Sequence, residues 1–193
     1  MKRGYKIYLF RHGETTFNRD GRFTGFKDAK LTESGKRQAR KIAKELKNKK
    51  FQVAIHTRLA RSKDTLRPVL RFHPECKLIL QDDRMIERSY GKLEGKKHST
   101  IIKKYGSMQY DNWHRGYEVK DRPPKGECFA DVEERVKAFI KDLKKFMKKN
   151  KVNVAISAHG NSIRLFRKIM ERASKKSVVK WFIPYDKVFE YSV

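Results

Sequence analysis

Short apolar runs alternate with amphipathic stretches along most of this chain. KIYLF (Lys6–Phe10), FQVAIH (Phe51–His56), KLIL (Lys77–Leu80), VNVAISA (Val152–Ala158) and KVFEY (Lys187–Tyr191) carry β-branched and aromatic residues in runs of strand length. Between them the apolar positions recur every three or four residues. Thr32 has the chemistry of an N-cap, Glu33 suits a first helical turn, and Ala39, Ile42, Ala43 and Leu46 share one helical face. From Glu127 to Lys149 a longer stripe of Phe129, Val132, Val136, Phe139, Ile140, Leu143, Phe146 and Met147 runs beneath a lysine-rich face. Another helix is predicted from about Asn161 to Arg172. Strands and helices that alternate in this way imply an α/β fold, a mostly parallel sheet flanked by helices on both faces. With 193 residues and 38% apolar content, a single domain spanning 1–193 can bury a substantial core.

One segment breaks the alternation. Residues 96–126 show little periodicity beyond a short helix around Thr100–Tyr105, and then carry Trp113, Tyr117 and the pair Pro123-Pro124. An excursion of that length inside a compact domain is more often functional than filler, so it is expected to form a lid over the active site, with Trp113 and Tyr117 as its packing residues.

Charge and cysteine content change the picture in two ways. Forty-nine Lys and Arg against 22 acidic residues give a net charge of +27, far above the roughly 2–8 typical of a small soluble domain. The lysines lie along the predicted helices, as in KIAKELKNKK and KDLKKFMKKNK, without interleaved aromatic stacking residues. That distribution favours solvated helix faces over nucleic-acid binding, and a positive surface also concentrates small anionic substrates. Cys76 and Cys128 are too few for a disulfide framework and lie in no metal-ligand spacing, so both read as free thiols. No apolar run approaches membrane-spanning length, and the first apolar run meets Arg11 too soon for a secretory signal. A soluble cytoplasmic protein without membrane contact is expected, and assembly as a homo-oligomer is compatible with it.

Ligands of open α/β sheets collect beyond the carboxyl ends of the strands. The first predicted strand ends in Arg11-His12-Gly13-Glu14, the second leads into HTRLARS with Arg61 in the next helix, and the fourth ends in His159-Gly160-Asn161-Ser162. Glu87 follows the third strand in RMIERSYG. Taken singly, each residue has an ordinary reading. His12 would be a strand-end surface histidine, His159 a helix cap, Arg61 one more solvated charge, and Glu87 an ion-pair partner of Arg84 or Arg88. Taken together, they supply a nucleophilic imidazole, guanidinium groups shaped for phosphoryl oxygens, a second imidazole as donor and a carboxyl group for proton exchange. Phosphoryl transfer asks for that set, and no metal cage is needed.

Arg-His-Gly-Glu near the N-terminus with a downstream His-Gly-Asn-Ser resembles the histidine phosphatase superfamily, also called phosphoglycerate mutase-like, over nearly the whole chain. The resemblance implies that His12 becomes phosphorylated, that Arg11, Arg61 and His159 hold the phosphoryl group, that Asn18 joins the same pocket, and that Glu87 gives and takes the proton. Gly13 and Gly160 would serve close backbone approach. FTGFKDAKLTESG and ERSYGKLEG are similar to segments of the cofactor-dependent phosphoglycerate mutases, and KYGSMQYDNWHRGYEVKDRPP to their substrate-clamping insert. These place Thr24, Gly25, Tyr90, His98, His114, Arg115, Gly160 and Asn161 on the substrate side. A mutase would use 2,3-bisphosphoglycerate as phosphoryl primer and no metal; the alternative is a phosphatase acting on small phosphomonoesters. His114-Arg115 stands where the mutase pattern has adjacent arginines, His98 where it has lysine, and PPKGECFADVEERV passes straight into a helix as in shorter phosphatases. If His98 and His114 bind anions as imidazolium ions, activity should fall as the pH rises past neutrality.

Overall fold

The computed structural model describes residues 4–193. Its strands are β1 (Lys6–Arg11), β2 (Val53–His56), β3 (Leu78–Gln81), β4 (Val154–Ala158) and β5 (Val188–Ser192), in the order β3-β2-β4-β1-β5. β1, β2, β3 and β4 run parallel, and β5 pairs antiparallel with β1 at the edge. All five predicted strands are present, each within about two residues of its expected bounds.

The helices are α1 (Thr16–Arg19), α2 (Glu33–Leu46), α3 (Ala60–Leu70), α4 (His98–Tyr105), α5 (Ser107–Arg115), α6 (Phe129–Asn150), α7 (Gly160–Glu171) and α8 (Lys175–Val178). Thr32 caps α2, its hydroxyl accepting from the Gly35 N–H at 3.0 Å. Strand side chains alternate between faces, and both faces are covered. Ile7, Leu9, Val154 and Ile156 pack with α6 and α7 through Phe129, Val136, Phe139, Leu143, Ile163 and Phe166. Tyr8, Phe10, Ala54 and Ala155 pack with α2 and α3 through Ile42, Leu46, Leu66 and Val69. Burial on both sides explains why the central strands read as apolar runs.

Residues 96–126 are more regular than expected. They hold α4, α5 and a 3₁₀ turn over Val119–Asp121. α5 escapes the apolar-periodicity test because it buries no residue completely; Tyr110 and Trp113 only lean against a satellite cluster of Phe23, Tyr90, Leu93 and Ile101. Tyr117 belongs to the main core rather than to that cluster. None of the described helices is long and apolar enough to cross a membrane.

Candidate active site

The strand order brings the two Gly-preceding histidines together. β1 and β4 are neighbours and stay in register as far as Arg11 opposite Ala158. His12, whose N–H donates to the Ala158 carbonyl at 3.0 Å, and His159 are the next residues on each strand. Their rings consequently stand with centres 5.0 Å apart. β2 flanks β4 on its other side, and Thr57, just beyond it, places its hydroxyl oxygen 2.8 Å from His159 Nε2. α3 then carries Arg61 to the same spot, fully buried, donating to the Gly25 and Lys27 carbonyls at 2.8 Å each. Arg11 donates to the Ile183 carbonyl at 2.8 Å and lies 4.0 Å from the centre of the Tyr185 ring.

Glu87 completes the cluster: its carboxylate and the ring nitrogens of His12 and His159 lie within 4.8 Å of one another. Glu87 Oε1 accepts from the N–H groups of Arg88 (2.8 Å) and Asn161 (3.1 Å). The rival reading of Glu87 as an ion-pair partner does not hold. Arg84 pairs with Asp82 and Asp142 instead, and the Arg88 guanidinium donates to the carbonyls of Trp113 and His114, strapping the end of α5 to the site. Close approach is real at Gly13, where a Cβ would fall 2.3 Å from the Gly35 carbonyl oxygen at the start of α2. It is not required at Gly160, where a Cβ would rest in ordinary contact, 3.4 Å from the Arg11 guanidinium carbon.

Burial, with the Arg61 and Arg11 charges, holds the His12 imidazole well below its ordinary range, so the ring is neutral at pH 7. His12 Nδ1 lies 2.7 Å from the Gly13 carbonyl. A carbonyl only accepts, so the ring proton sits on Nδ1 and Nε2 keeps its lone pair. His159 is likewise held neutral by burial and by the Arg61 and Arg11 charges. Arg61 falls only to about 10 on burial and stays cationic at neutral pH. Among the described residues, Arg11 Nε, Arg61 Nε and His159 Nδ1 are buried without a hydrogen-bond partner. Unmet buried donors are costly, and a phosphoryl group with several acceptor oxygens matches them.

Beside this cluster opens a cavity of about 230 Å³, lined in part by Arg11, Asn18, Thr24, Gly25, Glu87, Tyr90, His98, His114, Gly160 and Asn161; His12, Arg61 and His159 lie deeper and do not line it. Asn18 spends its carbonyl oxygen on the N–H and hydroxyl of Thr15, leaving the amide NH₂ as its free donor. Arg115 is the exception among the expected substrate-side residues: it is exposed and does not line the cavity, because α5 turns His114 inward and the adjacent residue outward. The lid histidines also differ from the cationic reading. Burial lowers His98, and burial with the nearby Arg88 charge pushes His114 down to about 3, so neither is an imidazolium ion at neutral pH. Gly21, Arg22, Phe23, Arg164, Ile183 and Tyr185 complete the walls, and none of them had a role assigned from the sequence. Arg164 had a signal, since it follows Gly160 by four residues on one helical face; Tyr185 lies in an irregular connection and had none.

Histidine rings held below their ordinary range make stability depend on pH, and His12, His114 and His159 are the most strongly shifted. The folded-state values of His12, His114 and His159 lie below the ordinary 6.5, so the unfolded chain binds protons that the folded one does not as the pH drops below 6.5. Each ring should therefore remove about 1.4 kcal/mol of stability per pH unit below that value. Urea unfolding at pH 7, 6 and 5 should show the decline, and His114→Phe should flatten it by one ring's worth; a pH-independent free energy would contradict the neutral histidines.

A model of the histidine phosphatase superfamily (branch 1) matches residues 7–188. A 2,3-bisphosphoglycerate-dependent phosphoglycerate mutase 2 of Gloeobacter violaceus is 34% identical over 181 residues, 93% of this chain and 81% of that protein. Among solved structures, the alpha-ribazole phosphatase of Shigella flexneri superposes with a TM-score of 0.82 at 24% identity, covering 96% of this chain and 89% of that one. A phosphoglycerate mutase of Bacillus anthracis superposes with a TM-score of 0.76 at 22% identity over 97% and 87% of the two chains. Matched along almost all of its length, with paired histidines beyond adjacent parallel strands, the chain belongs to the histidine phosphatase superfamily.

Proposed function

We propose that the protein transfers a phosphoryl group through phospho-His12, and that it acts as a phosphoglycerate mutase interconverting 3- and 2-phosphoglycerate with 2,3-bisphosphoglycerate as primer. The observation that carries the chemistry is the neutral His12, its Nδ1–H engaged by the Gly13 carbonyl and its Nε2 lone pair free beside the fully buried Arg61 and the half-buried Arg11. Nε2 attacks phosphorus, the P–O ester bond breaks, and the carboxylic acid of Glu87 hands its proton to the departing alkoxide. Arg11 and Arg61 spread over the phosphoryl oxygens. His159 donates from Nδ1 while Nε2 accepts the Thr57 hydroxyl, and the Gly13 carbonyl steadies the positive charge that the His12 ring acquires. In the return half, Glu87 takes the proton of the acceptor hydroxyl as that oxygen forms its bond to phosphorus and the N–P bond breaks.

His12, His159 and Glu87 have the spacing of a metal-ligand trio. Arg11 and Arg61 around them set a positive field that favours an anion over a cation. The mutase assignment rests on the named relatives. A phosphatase is the second reading, favoured by the neutral His98 and His114, which give the lid less charge with which to retain a bisphosphorylated intermediate.

Supplying 3-phosphoglycerate with and without catalytic 2,3-bisphosphoglycerate separates the two. The mutase yields 2-phosphoglycerate, primer-dependent and indifferent to EDTA, with little inorganic phosphate. Phosphate as the sole product would transfer the assignment to the phosphatase, and loss of turnover in EDTA would overturn the metal-free mechanism.

A further inference from the structure

Four arginines approach the cavity and its floor, and three are tied to the backbone. Arg11 donates to Ile183, Arg22 to Gly95, and Arg61 to Gly25 and Lys27. Arg164 is different. Among the described residues its one hydrogen bond goes from Nη1 to Asn161 Oδ1 at 3.0 Å, and its Nε is buried without a partner. Neighbouring Arg135 and Arg167 take the carboxylates of Glu127 and Glu171, and no ion pair among the described residues includes Arg164. Behind it lies the apolar ring of Phe129, with the guanidinium carbon 6.0 Å from the ring centre. A guanidinium set in a wall without an anionic partner is costly, and a bound anion removes that cost.

The position of Arg164 says which part of a ligand it would meet. It lines the cavity together with His98 and His114 and also lies in the field of Glu87 and Arg11, so it stands between the phosphoryl end and the lid. The lid itself offers the imidazoles of His98 and His114 against Phe23, with the His98 ring 4.3 Å and the His114 ring 5.7 Å from the Phe23 ring centre. With uncharged rings on that wall, the counter-charge for a second anionic group has to come from another element.

We propose that Arg164 is a specificity-determining residue that binds the carboxylate of the substrate, while Arg11 and Arg61 hold its phosphoryl group. This role rests on the proposed phosphoglycerate chemistry, and deepens it by naming the cation that separates an acidic phosphate ester from a neutral one. Asn161 links the two ends: its N–H donates to Glu87, its side-chain NH₂ lies 3.2 Å from the Tyr90 hydroxyl, and its Oδ1 orients Arg164.

Calorimetric binding of 3-phosphoglycerate and of glycerol 3-phosphate, which has CH₂OH in place of the carboxylate, tests this without turnover. The native protein should prefer the acid. Arg164→Met should reduce affinity for 3-phosphoglycerate by roughly 10- to 100-fold, as expected for one charge-assisted contact, and reduce affinity for glycerol 3-phosphate much less. Arg164→Lys should recover part of the preference. Parallel losses for both esters would assign Arg164 to the phosphoryl group and overturn the proposal, as would a native protein with no preference for the acid. If the preference is present but no phosphohistidine forms in the native protein, the catalytic reading fails and the binding role of Arg164 stands.

Discussion

Replacing His12 by alanine should abolish turnover and, with it, any acid-labile phosphate on the protein. The expected loss is at least about 10⁴-fold, the scale seen when a covalent nucleophile is removed from an otherwise intact site. The expectation is specific to His12 because its ring combines three properties. It is neutral, it has one nitrogen engaged by the Gly13 carbonyl, and its other nitrogen is free. His159 is equally buried and neutral, but its Nε2 is engaged by Thr57. Removing a desolvated imidazole leaves a small hole in a polar floor, so the variant should remain folded, which a thermal melt at pH 7 checks. Incubation with labelled 2,3-bisphosphoglycerate, followed by acid and alkali treatment, reads the intermediate directly: label surviving in His12→Ala would make another residue the nucleophile.

Why the site was legible from the chain follows from the topology. Arg11-His12 and His159-Gly160 end two strong apolar runs, and adjacent parallel strands deliver whatever follows them to one end of the sheet. Arg61 was recognisable by its spacing after β2, because α3 starts directly there. α3 itself was less visible: Pro68 interrupts it and the charges of Lys63, Asp64 and Arg67 dilute its apolar face. The lid shows the complementary weakness. α5 is tied to the site by the Arg88 guanidinium on the carbonyls of Trp113 and His114, and a bond between a side chain and distant backbone leaves no periodic trace.

Charge states were the least legible feature. His98 and His114 look like cation substitutes in the chain, since histidine stands where the mutase pattern has lysine and arginine. Burial against Phe23, Tyr110 and each other reverses that, because low-dielectric surroundings penalise the charged ring. A fall in activity past neutrality set by the lid histidines is accordingly not expected. The excess of lysine has little bearing on the site: the cavity's cations are arginines drawn from β1, α7 and the loop after α1.

Arg61→Gln should give the second large effect, a fall in kcat of about 10²–10³-fold, the usual result of removing one preorganised donor from a developing anion. Arg61 donates two of its N–H groups to Gly25 and Lys27, which fixes the plane of the guanidinium, and its Nε is the buried donor left over. Geometry of that kind stabilises charge as it builds on the transferring group, so kcat should fall more than KM rises. Arg61→Lys should rescue little: an ammonium keeps the charge but has no rigid fork with which to hold two carbonyls and still face the phosphoryl group. Because Arg61 also anchors the Thr24–Lys27 turn, the comparison needs a thermal melt to show that the variant retains its fold. A kcat within about tenfold of native in a folded Arg61→Gln would mean that Arg11 and His159 suffice for the transferring group, and that Arg61 serves the loop rather than the chemistry.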